Sequence, residues 1–597
     1  MSKSNEFYKS TLKENVAQRQ LLIKKINIIS VIRLVIVLFM LVIDYLLYKS
    51  NNYIAIIFIT IVLLTMFIIT ALYHSNKLRD KNITDILIDI NQRGIDRING
   101  EFKKFEDNGE EYLNYKHKFI NDLNIFGSNS LFQLTNTTVT SGGKNRLSEI
   151  LRIKQNINKN EILMRQEAIK ELSSKIQWRQ KFIVKGLMNR SSKFNLDDLI
   201  SWGKEESKVS KINIIISCIF IVTNFVSIFL ALSSIVPWSF VLLVFMIDFV
   251  VLKMLTKSIN KDIVLFNNIK QDIIGYSEIL ELIEDENFNS EYLKELKNKT
   301  SHKEVSCKRE MKKLANLAEW IGDSSYNAYY LVINILFFSD VFIMNNLEKW
   351  RKTNGLRLME WLNVMNEFDA LNSISNIAFD HEEWVYPNIL ETSEVYGEDI
   401  GHPLIGDKAV KNSFSLNGIQ KVALITGSNM SGKSTFLRSI GCNLVLSYIG
   451  APVCAKMFNC GIMSLYTCIT TRDSLEESIS SFYAEILRIK ILIEACKRGE
   501  KVFFLLDEIF KGTNSRDRHT GATVLINQLM KYGAIGLVST HDLELCDLEK
   551  EDNKIINYNF REFYEDDKIK FDYILRRGKS ETQNAINLMK LAGIDFK

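Results

Sequence analysis

Four apolar stretches, arranged as two closely spaced pairs, set the strongest limit on how this chain can fold. The first pair runs over about 26–48 and 53–73, the second over about 212–235 and 236–252. Each is near the ~20 residues that carry a helix across a bilayer. A backbone in that solvent must satisfy its own polar groups, which selects helix. The first pair is no cleavable leader: it is long, lacks a small-residue cleavage site and is followed at once by a second apolar segment. Lys9, Lys13, Arg19, Lys24 and Lys25 precede it, and Lys77, Arg79 and Lys81 follow. Lys204, Lys208 and Lys211 precede the second pair, and Lys253, Lys257 and Lys261 follow. The turns around 49–52 and 233–239 are short and nearly uncharged. The bias of positive charge toward the cytoplasm therefore predicts an integral, multi-pass membrane protein with four transmembrane helices and its bulk cytoplasmic. Arg33, Asp44 and Asp248 fall inside or at the ends of these segments. Each is within about two turns of an expected interface, so snorkelling accounts for them without an ion path.

The rest of the chain sorts by texture. Four prolines and 27 glycines in 597 residues leave few helix breakers, so most of it is expected to be helical. Residues 76–210 and 254–375 read as charged amphipathic helices. After Pro387 short β-rich runs alternate with helices, the pattern of a parallel sheet with crossovers, and a boundary is expected near 380. The expected fold class is mixed: a mostly α helical core with four transmembrane helices, plus a C-terminal α/β P-loop domain. The expected units are 1–80, 81–211, 212–252, 253–380 and 381–597. Lys+Arg 75 against Asp+Glu 70 gives a net charge of +5, too small a global excess to argue for nucleic acid. The eight cysteines are dispersed, and their gaps match no zinc site.

Chemistry enters after residue 420. A buried strand over 421–426 leads into Gly427-Ser428-Asn429-Met430-Ser431-Gly432-Lys433-Ser434-Thr435, followed by a helix. This is G-x-x-x-x-G-K-[ST] in its strand–loop–helix setting. The glycines let backbone N–H groups face phosphate oxygens at a helix N-terminus. Lys433 supplies a point charge to the β- and γ-phosphates, and Ser434 offers a hydroxyl to Mg2+. A second apolar run ends in Asp507-Glu508. There Asp507 suits the Mg2+ shell and Glu508 the attacking water. A third, over 536–541, ends in His541, placed to sense the γ-phosphate. The catalytic candidates are thus Lys433, Glu508 and His541, with ATP and Mg2+ as cofactors.

These residues resemble the MutS family. Thr426-Gly-Ser-Asn-Met-Ser-Gly-Lys-Ser-Thr435 looks like its P-loop, Asp507-Glu-Ile-Phe-Lys-Gly-Thr-Asn-Ser-Arg-Asp517 like its Walker B with the following loop, and Ser539-Thr-His541 like its switch histidine. The stretch 473–485 resembles the signature segment, with Ser480 at the serine that reaches the partner's ATP. Gly401-His-Pro-Leu404 and 586–593 flank these, and Thr140-Ser-Gly-Gly-Lys-Asn-Arg-Leu147 resembles the start of the family's helical core. The resemblance implies an ABC-type ATPase domain, a homodimer with two composite ATP sites, duplex DNA as a partner, and a role in mismatched DNA binding and mismatch repair. Departures accompany it. Ser431, Ser478 and Phe510 stand where the family has glycine, no adenine-stacking aromatic is evident near Ala409, and membrane helices occupy the place of the mismatch-reading domain. The second apolar pair interrupts the helical region where the family inserts its DNA clamp. The alternative is an ATP-driven membrane-remodelling, signalling or transport-associated machine with no DNA readout. Lys144, Arg146, Arg152, Lys154, Lys170, Lys175, Arg179, Lys181 and Lys185 offer phosphate contacts, but Glu149, Glu161, Glu167 and Glu171 alternate with them as on a solvated helix face.

Overall fold

The structure of the chain, a computed structural model, describes residues 2–154, 157–189, 196–205, 211–257, 260–302, 305–322, 328–469, 481–565 and 568–580. It is mostly helical, with β-sheets in the C-terminal part. With no proline or glycine before Gly94, the first two helices run unbroken well past their apolar cores: α1 is Lys3–Lys49 and α2 is Tyr53–Ile98, each about 70 Å long at 1.5 Å per residue. They form an antiparallel hairpin whose apolar half projects outward, with Leu34, Leu38, Ile54 and Phe58 exposed.

Helices α3 (Ser141–Leu151), α4 (Lys159–Ser174) and α5 (Ile176–Met188) lead to a second hairpin, α6 (Lys211–Leu232) and α7 (Trp238–Thr256). Then come α8 (Asn260–Asp285), α9 (Cys307–Gly322), α10 (Ala328–Phe337) and α11 (Ser339–Asp380). Helices α1, α2, α6 and α7 are long and apolar enough to cross a membrane.

Helix α11 is the spine of the helical part. Its C-terminal half is buried almost continuously, with Leu358, Leu362, Met365, Phe368, Leu371 and Ile374 in the main core. Asp369 on this helix accepts from Val139 N (3.1 Å), Thr140 N (2.9 Å) and Thr140 Oγ1 (2.7 Å), which docks the start of α3 on the spine. The backbones approach so closely that a Cβ on Gly142 or Gly143 would overlap Asn366 or Asp369. At the C-terminal end of the spine, Asp380 binds the N-terminal hairpin. Tyr8 Oη donates to it at 2.7 Å and Arg97 Nε at 2.6 Å, all three groups being buried.

The other end of the spine holds a feature absent from the reading of 254–375 as charged amphipathic helix. Phe338, at φ 48 and ψ 36, breaks the chain between α10 and α11, which meet at 76°. Phe338, Val341 and Leu252 form a small buried cluster, with Phe220, Ile221, Val251, Leu255 and Phe342 packed on it. The α6–α7 hairpin therefore sits on the N-terminal end of α11. Inside the hairpins, Asp44 accepts from Thr60 Oγ1 at 3.1 Å, and Arg33 lies over the Phe67 ring. Asp248 does not follow the snorkelling expectation. It lies mid-helix, wholly buried, with neither carboxylate oxygen hydrogen-bonded.

Beyond the spine the strands are β1 (Asn388–Leu390), β2 (Val395–Ile400), β3 (Asn412–Leu416), β4 (Val422–Thr426), β5 (Met457–Gly461), β6 (Ser464–Cys468), β7 (Val502–Asp507), β8 (Ile535–Thr540), β9 (Ile555–Glu565) and β10 (Lys568–Arg577). Among the described residues these make a sheet ordered β10-β9-β4-β8-β7-β6 and a smaller one ordered β1-β5-β2-β3. In the larger sheet β9, β4, β8, β7 and β6 are mutually parallel and only β10 is antiparallel. Alternation along β4 shows why its run is continuously apolar: Ala423 and Ile425 face the core shared with the helical part, while Val422 and Leu424 face a second core. A parallel sheet covered on both faces requires this.

Candidate functional site

The central strand β4 feeds a loop whose backbone is left-handed at Gly427 (φ 149), Met430 (φ 70) and Gly432 (φ 107), before α12 (Lys433–Tyr448) begins. The turn points the first N–H groups of α12 at the C-terminal edge of the sheet, a site made for anions. Lys433 is 4% exposed. Its Nζ donates to Gly427 O at 2.9 Å and Ser428 O at 3.0 Å, and lies 3.4 Å from both Glu508 Oε1 and His541 Nε2. Burial lowers its pKa against the opposing pull of Glu508.

Parallel register carries the neighbouring strands to the same edge. Strand β7 ends at Asp507, paired across from Ser539 on β8. Asp507 Oδ2 accepts from Ser434 Oγ at 2.6 Å, and Ser539 Oγ donates to Oδ1. The hydroxyl and the carboxylate are hard oxygen donors side by side, the donor type that Mg2+ takes. Glu508 follows at φ 49, its carboxylate 2.5 Å from His541 Nε2 and 2.8 Å from Lys511 Nζ. Burial opposes ionisation of Glu508, but hydrogen bonds from His541 and Lys511 and the charge of Lys433 outweigh it and hold the carboxyl well below the usual range. His541 Nε2 also lies 2.7 Å from Asn429 Oδ1, joining β8 to the loop.

The residues singled out in sequence thus meet: Lys433, Ser434, Asp507, Glu508, His541 and the 427–435 loop share one cluster. Ser480 lies outside the described residues, as do Ser478 and the 586–593 segment. Two departures acquire a shape. Ser431 is buried with its Oγ unpartnered, and Phe510 holds φ 61, a conformation glycine adopts freely and other residues at a cost of about 1–2 kcal/mol. Glu485, raised in pKa by burial, accepts from Phe510 N at 2.5 Å and braces that backbone.

Sequence reasoning assigned no role to several participants. Ser539 is found only through register. Glu562 on β9, a carboxyl whose pKa burial raises, accepts from Ser428 Oγ of the loop. Tyr573 on β10, at φ 57 and 44% exposed, presents its ring beside Gly432. Asp122, from the helical part, accepts from Thr467 Oγ1 at 2.7 Å and Arg488 Nη1 at 2.9 Å, tying that part to β6 and to the helix α13, Ser481–Lys497.

Of the nine basic residues of the helical part named above, four meet carboxylates. Lys144 meets Asp107 at 2.7 Å, Arg146 meets Glu367 at 2.5 Å, Lys175 meets Glu286 at 2.6 Å and Lys185 meets Glu278 at 3.5 Å. Arg179 is buried and donates to Asn376 Oδ1.

Comparison with known proteins finds the model of MutS domain V matching residues 423–596. A DNA mismatch repair protein MutS from Aquifex pyrophilus is 31% identical over 237 residues, 39% of this chain and 27% of that protein. Those from Persephonella marina and Bacillus cereus are each 30% identical, over 231 and 243 residues, 38% and 40% of this chain and 26% and 27% of theirs. The chain therefore spans about a quarter of the length of the curated relatives it matches.

Proposed function

We propose, from the match of residues 423–596 to MutS domain V, that the chain is a MutS-family protein and a membrane-anchored, Mg2+-dependent ATPase acting as a homodimer. One observation carries the chemistry: Lys433, Ser434, Asp507, Glu508 and His541 converge at the C-terminal ends of β4, β7 and β8. In this reading the 427–435 loop and the start of α12 bind the triphosphate. Lys433 exchanges its two carbonyl partners for phosphate oxygens. Ser434 and Asp507 hold Mg2+, which neutralises charge developing on the transferred phosphoryl group. Glu508, kept ionised, orients the attacking water and takes its proton. Asn429 and His541 pass the state of the loop to β8. Ser480 would complete the partner's site, as the family resemblance implies.

Four helices long and apolar enough to span, lined outward with apolar side chains and flanked by lysine and arginine, support the anchor. The units expected from sequence then read as the anchor (1–80), two parts of a helical lever (81–211 and 253–380) around the second hairpin (212–252), and the ATPase (381–597). Nucleotide-driven movement travels along α11, and its far end meets that hairpin, so the load is a membrane component.

A second reading, in which the load is duplex DNA, is favoured by the relatives, which are DNA mismatch repair proteins by name. The pairing of Lys144, Arg146, Lys175 and Lys185 with carboxylates weighs against it. Steady-state ATPase of the full chain decides. Wild type hydrolyses ATP with Mg2+, and Lys433→Ala loses at least about 100-fold; unchanged turnover in that variant overturns the site. Stimulation by liposomes supports the membrane load, and stimulation by mismatched over homoduplex DNA supports the second reading.

A further inference from the structure

Asp248 and Asn224 present a chemical problem that the ATPase leaves unsolved. Both are fully buried, Asp248 at the middle of α7 and Asn224 on the facing helix α6 beside it. Neither oxygen of Asp248 nor the Oδ1 of Asn224 makes a hydrogen bond of ordinary geometry, although the Asn224 side chain faces Asp248. Asn224 spends its Nδ2 on Ile335 O (3.2 Å) and Leu336 O (3.4 Å), carbonyls of the last turn of α10 before the break at Phe338. Those carbonyls are the negative end of a helix dipole. Asn224 thus stands between Asp248 and the C-terminal turn of α10 in an apolar setting, where an uncompensated carboxylate is strongly disfavoured.

Nearby polar groups are committed elsewhere. Ser227 Oγ donates to Asn224 O and Ser217 Oγ to Asn213 O, each within its own helix. Asp340 is held by Tyr330 Oη and Asn334 Nδ2, both at 2.6 Å. An Asp248 carboxylate in this setting calls for one unit of positive charge, from its own proton or from a cation, and the salt test below tells the two apart. One carboxylate balances one unit of it, which favours a monovalent cation over the divalent ions that hard oxygen donors also take. Broken helices whose carbonyl ends face a cation are an established solution inside membranes.

We propose that Asp248, Asn224 and the carbonyl end of α10 form a binding site for a monovalent cation, sodium or potassium, at the elbow of α11. The proposal rests on the reading that α6 and α7 span a membrane. Leu252, one turn from Asp248, packs on Phe338 and Val341, so occupancy acts on the helix whose other end holds Asp380.

The test uses the full chain in lipid nanodiscs in sodium, potassium or choline chloride at equal ionic strength. It reads the thermal midpoint and the labelling of Asp248 by dicyclohexylcarbodiimide, followed by peptide mass spectrometry. In that reaction a carboxyl oxygen bonds to the carbodiimide carbon and the carboxyl proton passes to its nitrogen; a metal ion on those oxygens blocks it. The expected result is at least about tenfold slower labelling and a higher midpoint in one alkali salt than in choline, the two salts identifying the ion. Asn224→Ala weakens the protection. Asp248→Asn, a neutral isostere, abolishes the salt-specific midpoint shift while nucleotide binding persists. Equal labelling and equal midpoints of the wild type in all three salts overturn the site. Extraction of native membranes with alkaline carbonate separates the two claims. A chain that leaves the membrane refutes the spanning reading and the cation site with it, whereas one that stays but ignores the salts refutes the cation site alone.

Discussion

Replacing Asp380 with alanine cuts the join between the N-terminal hairpin and the spine. The Arg97 and Asp380 side chains are 4% and 2% exposed, and Asp380 also accepts from Tyr8 at 2.7 Å. Without the carboxylate, the Arg97 charge stays buried, with Tyr8 Oη, 3.3 Å away, as its one side-chain hydrogen-bond partner among the described residues. Breaking a buried pair by removing one partner costs about 3–5 kcal/mol. At 1.4 kcal/mol per tenfold, local opening of the junction should rise by roughly two to four decades. Hydrogen exchange read by mass spectrometry on peptides covering the start of α1 and the end of α2 measures this directly, without assuming that so large a chain unfolds in one step. The double variant Arg97→Met, Asp380→Leu removes both charges together and should recover most of the protection. Unchanged exchange in Asp380→Ala, or a double variant as exposed as the single variants combined, would refute the reasoning.

Ser434→Ala removes one of the two oxygen ligands offered to Mg2+, so the Mg2+ concentration for half-maximal ATPase should rise by about tenfold or more while nucleotide still binds; a titration with Mg2+ checks it. Glu508 has a depressed folded-state pKa, so the stability its charge contributes is complete above the ordinary value of 4.5 and fades as pH falls toward the lower folded value. The midpoint difference between wild type and Glu508→Gln should therefore shrink as pH falls below 4.5, as thermal unfolding across acid pH would show.

What was legible in sequence follows from the range of each interaction. The 427–435 loop, Asp507-Glu508 and His541 could be read because phosphate and Mg2+ chemistry demands particular residues next to one another at strand ends. Their meeting then needs only a parallel sheet. Ser539 sits within the Ser539-Thr-His541 motif, but its bond to Asp507 depends on strand register, which local pattern does not set. The apolar halves of α1 and α2 were plain, whereas the Tyr8–Arg97–Asp380 cluster joins groups hundreds of residues apart. The break at Phe338 was hidden for another reason. The apolar run before it is short, and Ser339-Asp340 interrupts it, so it falls under the length that marks a spanning helix. Asp248 looked like a charge able to reach a helix end. Its burial against α6 is a packing outcome that hydropathy cannot foresee.

The central claim is that a triphosphate held between Gly427 and Thr435 is cleaved with Glu508 and joins two chains. Glu508→Gln isolates it, because the substitution leaves Lys433, Ser434 and Asp507 to bind while removing the group that activates water. In a single-turnover experiment with labelled ATP, combined with measurement of mass in solution, the variant should retain uncleaved ATP as a dimer and hydrolyse at least about 100-fold more slowly than wild type. Hydrolysis by Glu508→Gln at the wild-type rate, or retention of ATP by a chain that stays monomeric, would contradict the account.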